Sequence, residues 1–265
     1  MTRVPVKKTY KLFIGGAFPR SESGRTYEAQ GQNVARASRK DVRDAVQAAR
    51  GAQPKWASAT AYNRGQVLYR IAEMMEARRS EFAELCSGVK EVDRSIDRFV
   101  WYAGWADKLA QVIGSSNPVA GPYFNFTVPE PTGVVAVLAP EEPALAGLVS
   151  RVAPALVGGN AVVAVPSETH PLAAIELAEA LATADVPGGV VNIVTGLHEE
   201  LAPWLASHMD VNAIDVTGAN GDVAELERLA AENVKRVVRG AADGQSAWEI
   251  APFLELKTVW HPIGV

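Results

Sequence analysis

The stretch that decides the fold is GVVAVLAPEEPALAGLVSRVAPALVGGNAVVAVPSETHPLAA, residues 133–174. It opens with a β-branched run over Gly133–Pro140, of the kind that parallel strands buried on both faces carry. A helix is predicted over Pro143–Val157, since proline stands near its start and Gly158-Gly159 follow its end. A second buried strand is predicted over Ala161–Pro166. Strand, helix and strand in this order predict one crossover unit of a parallel sheet.

The same alternation continues toward the C-terminus. Helical spacing and short apolar runs follow each other at regular intervals, which predicts an α/β fold with a doubly wound parallel sheet. The predicted elements are helix His170–Ala184, strand Val190–Gly196, helix Glu199–His208, strand Ala213–Gly218, helix Asp222–Glu232 and strand Val234–Val238.

Upstream of this region the pattern is mainly helical. Lys11–Phe18 predicts a hairpin around Gly15-Gly16, and Gly114–Pro131 predicts an extended connection broken by turns. Ser38 is a good N-cap with Asp41 three residues later, so a helix is predicted to begin there. Two further predicted helices are Asn63–Glu84 and Val92–Val112, and the aromatic stripe on the second is interpreted as core.

After Arg239 the alternation stops. A loop follows, and Phe253–Pro262 predicts one more strand, detached from the sheet by that loop. A lone strand of this kind exposes unpaired backbone groups, so we expect it to pair with another element or another chain.

The composition is that of a globular chain without a basic face. The 265 residues carry a net charge of −4. The densest basic stretch, Arg36–Arg43, is interrupted by Asp41, whereas a nucleic-acid-binding face needs clustered positive charge. The start of the chain lacks the apolar core of a signal peptide, and no apolar run is long enough to cross a bilayer. We therefore expect a soluble cytoplasmic protein without a nucleic-acid or membrane partner.

Several motifs carry a family resemblance. The stretch from Gly133 to Ala174, followed by DVPGGVVNIVTG and VNAIDVTG, resembles the cofactor domain of the aldehyde dehydrogenase superfamily. LFIGGAF and WYAGWADK resemble its N-terminal hairpin and a helix before that domain. The Pro-Glu-Glu variant and the TVWHP ending look most like the aldehyde dehydrogenase 16 clade, whose long members carry a second, incomplete dehydrogenase half.

The resemblance implies a Rossmann-like cofactor domain preceded by helices. On this basis residues 1–240 are predicted to form an aldehyde dehydrogenase cofactor-type domain. Residues 241–265 are predicted to be a linker and a C-terminal strand that bridges subunits in oligomerisation.

The residues that catalyse the reaction in the family are missing from the matching positions. The general-base Glu falls at about Gly240, which has no proton-accepting side chain, and the oxyanion-hole Asn falls at Glu142. Only Ala241–Pro252 stands where the family has its large catalytic domain with the nucleophilic Cys. We therefore predict no catalytic residue in this chain.

The cofactor residues of the family are partly kept. Glu168, Pro166 and Gly218 match family positions and are the candidate, vestigial cofactor-binding residues. The family Lys, Ser and helix-start Gly are replaced by Val165, Ala219 and Val223. Because a pyrophosphate needs a close backbone approach, tight cofactor binding is not expected, although NAD(P) binding stays open.

Other reactive side chains are interpreted as structural. Cys86, the single cysteine, is predicted to be a small buried residue at a helix end. Glu141 and Glu142 are adjacent at a strand-to-helix turn, so they are expected to point apart and to be stabilised by the dipole of the following helix. Because they follow the carboxyl end of a strand, a role as an acid/base pair stays open. The other candidates are the histidines His170, His198, His208 and His261. They lack the spacing of metal ligands, so no metal site is predicted. His261 lies in the predicted terminal strand and is assigned to an interface.

These observations predict a pseudoenzyme, a non-catalytic structural or regulatory subunit. Its predicted partner is a full-length NAD-dependent aldehyde dehydrogenase, contacted through Tyr123–Glu130 and Leu254–Pro262, and self-association stays open. Two alternatives remain: a contribution to NAD(P)-dependent aldehyde oxidation within such a complex, and a nucleotide-binding sensor without chemistry.

Overall fold

The computed structural model describes Val4 and residues 8–264. The N-terminal segment in which no signal peptide is predicted therefore lies partly outside the described residues. The strands are β1 (Thr9–Tyr10), β2 (Thr26–Ala29), β3 (Gln32–Ala35), β4 (Ser115–Asn117), β5 (Tyr123–Pro131), β6 (Val134–Leu138), β7 (Ala161–Val165), β8 (Val191–Ile193), β9 (Ala213–Asp215), β10 (Arg236–Val238) and β11 (Leu254–Pro262).

The helices surround these strands. They are α1 (Arg39–Ser58), α2 (Ala61–Ala77), α3 (Arg79–Leu85), α4 (Val89–Ala103), α5 (Leu109–Val112), α6 (Ala144–Val157), α7 (Leu172–Thr183), α8 (His198–Ser207) and α9 (Val223–Ala231). Two single 3-10 turns, Ala247–Glu249 and Ala251–Phe253, precede β11. Within the part of the chain that the structure describes, no helix is at once long and apolar enough to cross a membrane.

The predicted doubly wound parallel sheet is confirmed. Its five strands lie in the order β10-β9-β6-β7-β8, and all are parallel. Every residue of β6 and β7 is buried, because both faces of the sheet are covered. Alternate residues of β6 enter different cores: Val135 and Val137 pack with α6 and α7, whereas Val134 and Ala136 pack with α1 and α8.

The predicted N-terminal hairpin and the first helix start also appear. Gly15 and Gly16 both have positive φ, +62° and +84°, so the chain reverses there without steric cost. At the start of α1 the Asp41 carboxylate accepts a hydrogen bond from the Ser38 N–H at 2.7 Å. This is one half of a capping box, because the Ser38 hydroxyl has no partner among the described residues.

Two predicted helices are shorter than expected. Asn63–Glu84 divides into α2 and α3 at Arg78, where φ is −116° and the guanidinium pairs with two carboxylates of α7. The sequence predicts one helix over Val92–Val112, but α4 ends at Ala103, followed by Gly104. Glycine has a low helix propensity, and Trp105 N–H bonds to the carbonyl three residues back. The helix resumes only as the short α5.

The C-terminal strand pairs within its own chain. β11 runs antiparallel to β5 along its whole length, from Leu254 opposite Pro131 to Pro262 opposite Tyr123. β4 lies on the other side of β5, so β11 is an edge strand of a three-stranded sheet. The division of the chain at residue 240 into two units stays a prediction.

Candidate functional site

The candidate site lies where the parallel strands end. β6 has β7 on one side and β9 on the other, so the chain order of the sheet reverses at β6. Ligands of doubly wound sheets bind at the carboxyl ends of the strands beside such a reversal. The residues that follow the five strands at this edge are Glu141, Glu142, Pro166, Glu168, His198, Gly218 and Gly240.

Gly218 lies directly on the backbone of the neighbouring turn. Its N–H donates to the Leu138 carbonyl at 2.9 Å. A Cβ at this position would overlap the main chain of Ala139 and Pro140. The glycine is thus required by the close approach of the turns after β6 and β9, and this requirement exists without any cofactor.

Glu141 ties the turns together through hydrogen bonds. Its carboxylate accepts from Ser167 Oγ at 2.7 Å, from the Glu168 N–H at 3.0 Å and from Thr169 Oγ1 at 2.8 Å. Asn220 Nδ2, in the turn after β9, donates to the same carboxylate at 3.3 Å. Burial opposes ionisation, but the hydrogen bonds outweigh it and hold the pKa of the Glu141 carboxyl below its ordinary value. Glu141 is therefore a carboxylate at neutral pH.

Glu168 and Pro166, two of the predicted cofactor residues, contact a histidine. Glu168 Oε1 accepts from the His198 N–H at 2.6 Å, at the first residue of α8. The Pro166 carbonyl lies 3.1 Å from His198 Nε2. Because a free N–H at a helix start needs an acceptor, Glu168 has a structural partner that does not depend on a nucleotide.

The predicted separation of the two adjacent glutamates holds. Glu142 is exposed and lies 3.1 Å from His170 Nδ1, whereas Glu141 turns toward β7. His198 is buried at the strand ends and His208 lies at the other end of α8, so these histidines do not converge. His198 instead joins Glu141 and Glu168, and one ligand atom of each lies within 4.8 Å of the other two.

Sequence reasoning missed this group because it compared His198 only with other histidines. The available signal was that Glu141, Glu168 and His198 each follow a strand of the parallel sheet. The carboxyl ends of neighbouring parallel strands meet at one edge, so residues far apart in the chain come together there.

The space beside Gly240 is filled by an arginine. Arg151 of α6 is fully buried and its Nε donates to Asp215 at 2.6 Å, while Glu249 binds Nη1. A Cβ at Gly240 would overlap this guanidinium. Burial alone would lower the pKa of Arg151, but the two carboxylates outweigh it and raise the pKa.

This buried ion-pair cluster was also absent from the sequence interpretation. Its signals were an acid inside the strand sequence AIDVTG and an arginine inside the apolar helix α6. Charged residues are almost never fully buried unless they are paired, so Arg151 and Asp215 each predict a partner.

The edge is unfavourable for a phosphate. At the start of α9 the Asp222 carboxylate accepts from the Glu225 N–H at 3.2 Å, so an acid already occupies this helix N-terminus. Glu141 and Glu168 add negative charge at the turns beside it. A helix N-terminus binds phosphate through free N–H groups and the helix dipole, and like charge opposes both contributions.

Cys86 lies beside this edge, at the end of α3. It is half-buried and lines a cavity together with Glu142 and His170. Burial, with smaller contributions from Glu91 and Glu142, raises the pKa of the thiol to about 12. A thiol with so high a pKa stays protonated at neutral pH and is a poor nucleophile, in agreement with the structural interpretation of Cys86.

Comparisons with known proteins agree with the fold and the motifs. The sequence profile of the aldehyde dehydrogenase family matches residues 25–261. The 2-hydroxymuconic semialdehyde dehydrogenase of Pseudomonas sp. CF600 is 36% identical over 251 residues, 87% of this chain and 51% of that protein. Human retinal dehydrogenase 2 is 36% identical over 252 residues, 87% of this chain and 48% of that protein.

Solved structures show the same relationship. HpcC from Thermus thermophilus superimposes with a TM-score of 0.83 at 32% identity, over 88% of this chain and 48% of that one. The NAD+ complex of aldehyde dehydrogenase from Bacillus cereus superimposes with a TM-score of 0.78 at 29% identity, over 87% and 50%. The chain spans about half the length of the curated relatives it matches.

Proposed function

The chain belongs to the aldehyde dehydrogenase family, and we propose that it is a non-catalytic subunit that assembles with a full-length NAD-dependent aldehyde dehydrogenase. One observation carries the first part of this proposal. The position that resembles the family's general base is Gly240, and the Arg151 guanidinium fills the space that a side chain there would need. The salt bridges of Arg151 to Asp215 and Glu249 hold it in that space.

The chemistry of the family needs more than a base. Oxidation of an aldehyde through a thiohemiacetal requires a thiolate nucleophile and a donor for the oxyanion. Cys86, the single thiol of the chain, has a raised pKa, which disfavours the thiolate. Glu142 stands where the resemblance places the oxyanion donor, and a carboxylate accepts hydrogen bonds instead of donating them. These features support a subunit that does not oxidise aldehydes by itself.

Weak cofactor binding follows from the same edge. Val165 is buried at the end of β7, at the position that resembles the family's ribose-binding Lys. Glu168 is held by His198, and Asp222 caps the helix at which a pyrophosphate would bind. For these reasons we propose that NAD(P) does not bind tightly to this chain.

The assembly surface is the sheet of β4, β5 and β11. Within the described residues the outer side of β11 pairs with no strand, so a nine-residue edge is available. The two partner segments expose several large apolar side chains, namely Tyr123, Phe124, Leu256, Val259 and Trp260. An exposed apolar edge pairs readily with a strand of another chain. We propose that a strand of the catalytic subunit pairs there.

The experiment compares the chain alone with the chain co-expressed with a full-length aldehyde dehydrogenase. We expect the single chain to form no NADH from aldehyde, and the pair to elute as one complex of defined mass. NADH formation by the single chain would show that it is catalytic. Two independent elution peaks would contradict the proposed complex with the full-length enzyme. A mass larger than one chain for the protein alone would show self-association instead.

A further inference from the structure

Three potential ligands converge from three turns of the sheet. Glu141 follows β6, Glu168 follows β7 and His198 begins α8 after β8. Each offers one ligand atom, and these atoms lie within 4.8 Å of one another. The group forms because β6, β7 and β8 are consecutive neighbours in the sheet and end at the same edge.

The histidine has a nitrogen without a partner. His198 is 1% exposed, and its Nε2 contacts the Pro166 carbonyl, which can only accept. Nε2 therefore carries a proton, which leaves Nδ1 as the nitrogen available to a ligand. Among the described residues this buried Nδ1 has no hydrogen-bond partner. A buried polar atom without a partner is rare, and a bound water or ion is one reason for it.

A second unpaired polar atom faces the same carboxylates. The hydroxyl of Tyr27 in β2 is buried and has no partner among the described residues. Glu168 and Glu141 are the charged groups that act on this phenol, so it lies in their neighbourhood. A phenol hydroxyl can donate to and accept from a water bound there.

The two carboxylates also lack a counter-charge. Across the described residues, no lysine, arginine or histidine side chain forms a salt bridge with Glu141 or Glu168. The donors to Glu141 are neutral: hydroxyls, backbone N–H groups and the Asn220 amide. Two neighbouring carboxylates repel each other unless a cation lies between them.

We propose that Glu141, Glu168 and His198 bind a divalent cation of the Zn²⁺ type, with a bound water completing its coordination. Two carboxylate oxygens and one imidazole nitrogen form a donor set that Zn²⁺ accepts in sites with three protein ligands and one open position. Mg²⁺ and Ca²⁺ prefer oxygen ligands alone, so the imidazole discriminates against them. The cation would neutralise the Glu141–Glu168 pair. It would bind Glu168, the residue that matches the nucleotide-binding Glu of the family.

The test is calorimetric titration of the whole metal-free chain with Zn²⁺ and, separately, with Mg²⁺. We expect one saturable Zn²⁺ site and much weaker Mg²⁺ binding. Glu168→Gln keeps an acceptor for the His198 N–H but loses the charge, and we expect it to weaken Zn²⁺ binding roughly tenfold or more. His198→Gln removes Nδ1, and we expect the saturable site to disappear.

Matched controls are His208→Gln and His261→Gln, which remove histidines far from the strand ends and should leave Zn²⁺ affinity unchanged. Circular dichroism checks that each variant folds. If His198→Gln does not fold, the Zn²⁺ affinity of Glu168→Gln decides whether the site exists. Absence of saturable Zn²⁺ binding, or equal affinity in the wild type and Glu168→Gln, would overturn the site. Aldehyde oxidation and partner binding are not part of the readout, so the result is independent of the proposed subunit role.

Discussion

Two regions of the molecule differ in how far their polar groups have hydrogen-bond or ion-pair partners. At the edge between β9 and β10 the polar groups of the Arg151 cluster are mostly paired with one another. Asp215 and Glu249 bind the guanidinium, and Thr217 Oγ1 accepts from the Gly240 N–H at 2.8 Å, while Arg151 Nη2 has no partner among the described residues. At β11 the outer backbone groups pair with no strand among the described residues, and Trp260 is 58% exposed. In the first region the Arg151 guanidinium occupies the space beside Gly240, whereas the second region has an unpaired strand edge. We therefore expect the filled region to contribute to stability, and we propose the exposed edge as the place where another chain binds.

The largest effect should come from breaking the filled region. Asp215→Ala leaves the Arg151 guanidinium buried without its main partner, so we expect a loss of about 3–5 kcal/mol in the free energy of unfolding. Urea unfolding measures this loss. The matched control is Glu225→Ala in the exposed pair with Arg228, for which we expect a much smaller loss, because solvent screens exposed ion pairs. Equal effects of the two substitutions would contradict the difference between the two regions.

A second change restores the family residue in the filled region. Gly240→Glu introduces a side chain that overlaps Arg151, so we expect a loss of about 1–3 kcal/mol in the free energy of unfolding. We also expect no NADH formation from aldehyde, because a base alone supplies neither thiolate nor cofactor. Thermal unfolding and an absorbance assay measure the two outcomes. A stable variant would show that the space beside residue 240 is not filled as described.

The exposed region is tested at β11. Trp260→Lys adds charge at the proposed partner edge, so we expect the affinity for the catalytic subunit to fall roughly tenfold, as a hot-spot residue would require. Because the side chain is mostly exposed, the free energy of unfolding should change by about 0.5 kcal/mol or less. The matched control is Trp248→Lys, a tryptophan 77% exposed outside this sheet. Binding is measured by analytical ultracentrifugation, and equal losses for both variants would exclude β11 as the interface.

The smallest effect concerns acid stability. The pKa of Glu141 is lower in the folded protein than its ordinary value of 4.5. The carboxylate therefore stabilises the fold above that value, and the stabilisation is lost as the pH falls through the folded-state pKa. In Glu141→Gln the melting temperature should depend less on pH between about pH 3 and pH 6 than in the wild type. The adjacent, exposed Glu142→Gln is the control, and an unchanged pH profile in Glu141→Gln would contradict the assigned hydrogen bonds.

Much of the fold could be predicted because its signals are local. The β-branched runs at β6 and β7, separated by a helix, require a parallel sheet, and Gly15-Gly16 allows the hairpin. The ends of helices were predicted less well. The break at Arg78 depends on two carboxylates of α7, about a hundred residues away in the chain. No periodicity within α2 contains that information.

The candidate site divides in the same way. The sequence by itself determined that residue 240 has no side chain to act as a base and that Cys86 is the single thiol. It also determined that Glu168 keeps the residue type of the family's cofactor-binding Glu. Only the tertiary structure decided that Arg151 fills the space at Gly240 and that His198 lies with Glu141 and Glu168. It also decided that β11 pairs with β5 of its own chain before any partner strand. The physical reason is that side-chain identity and periodicity are local properties, whereas these contacts depend on which strands become neighbours in the sheet.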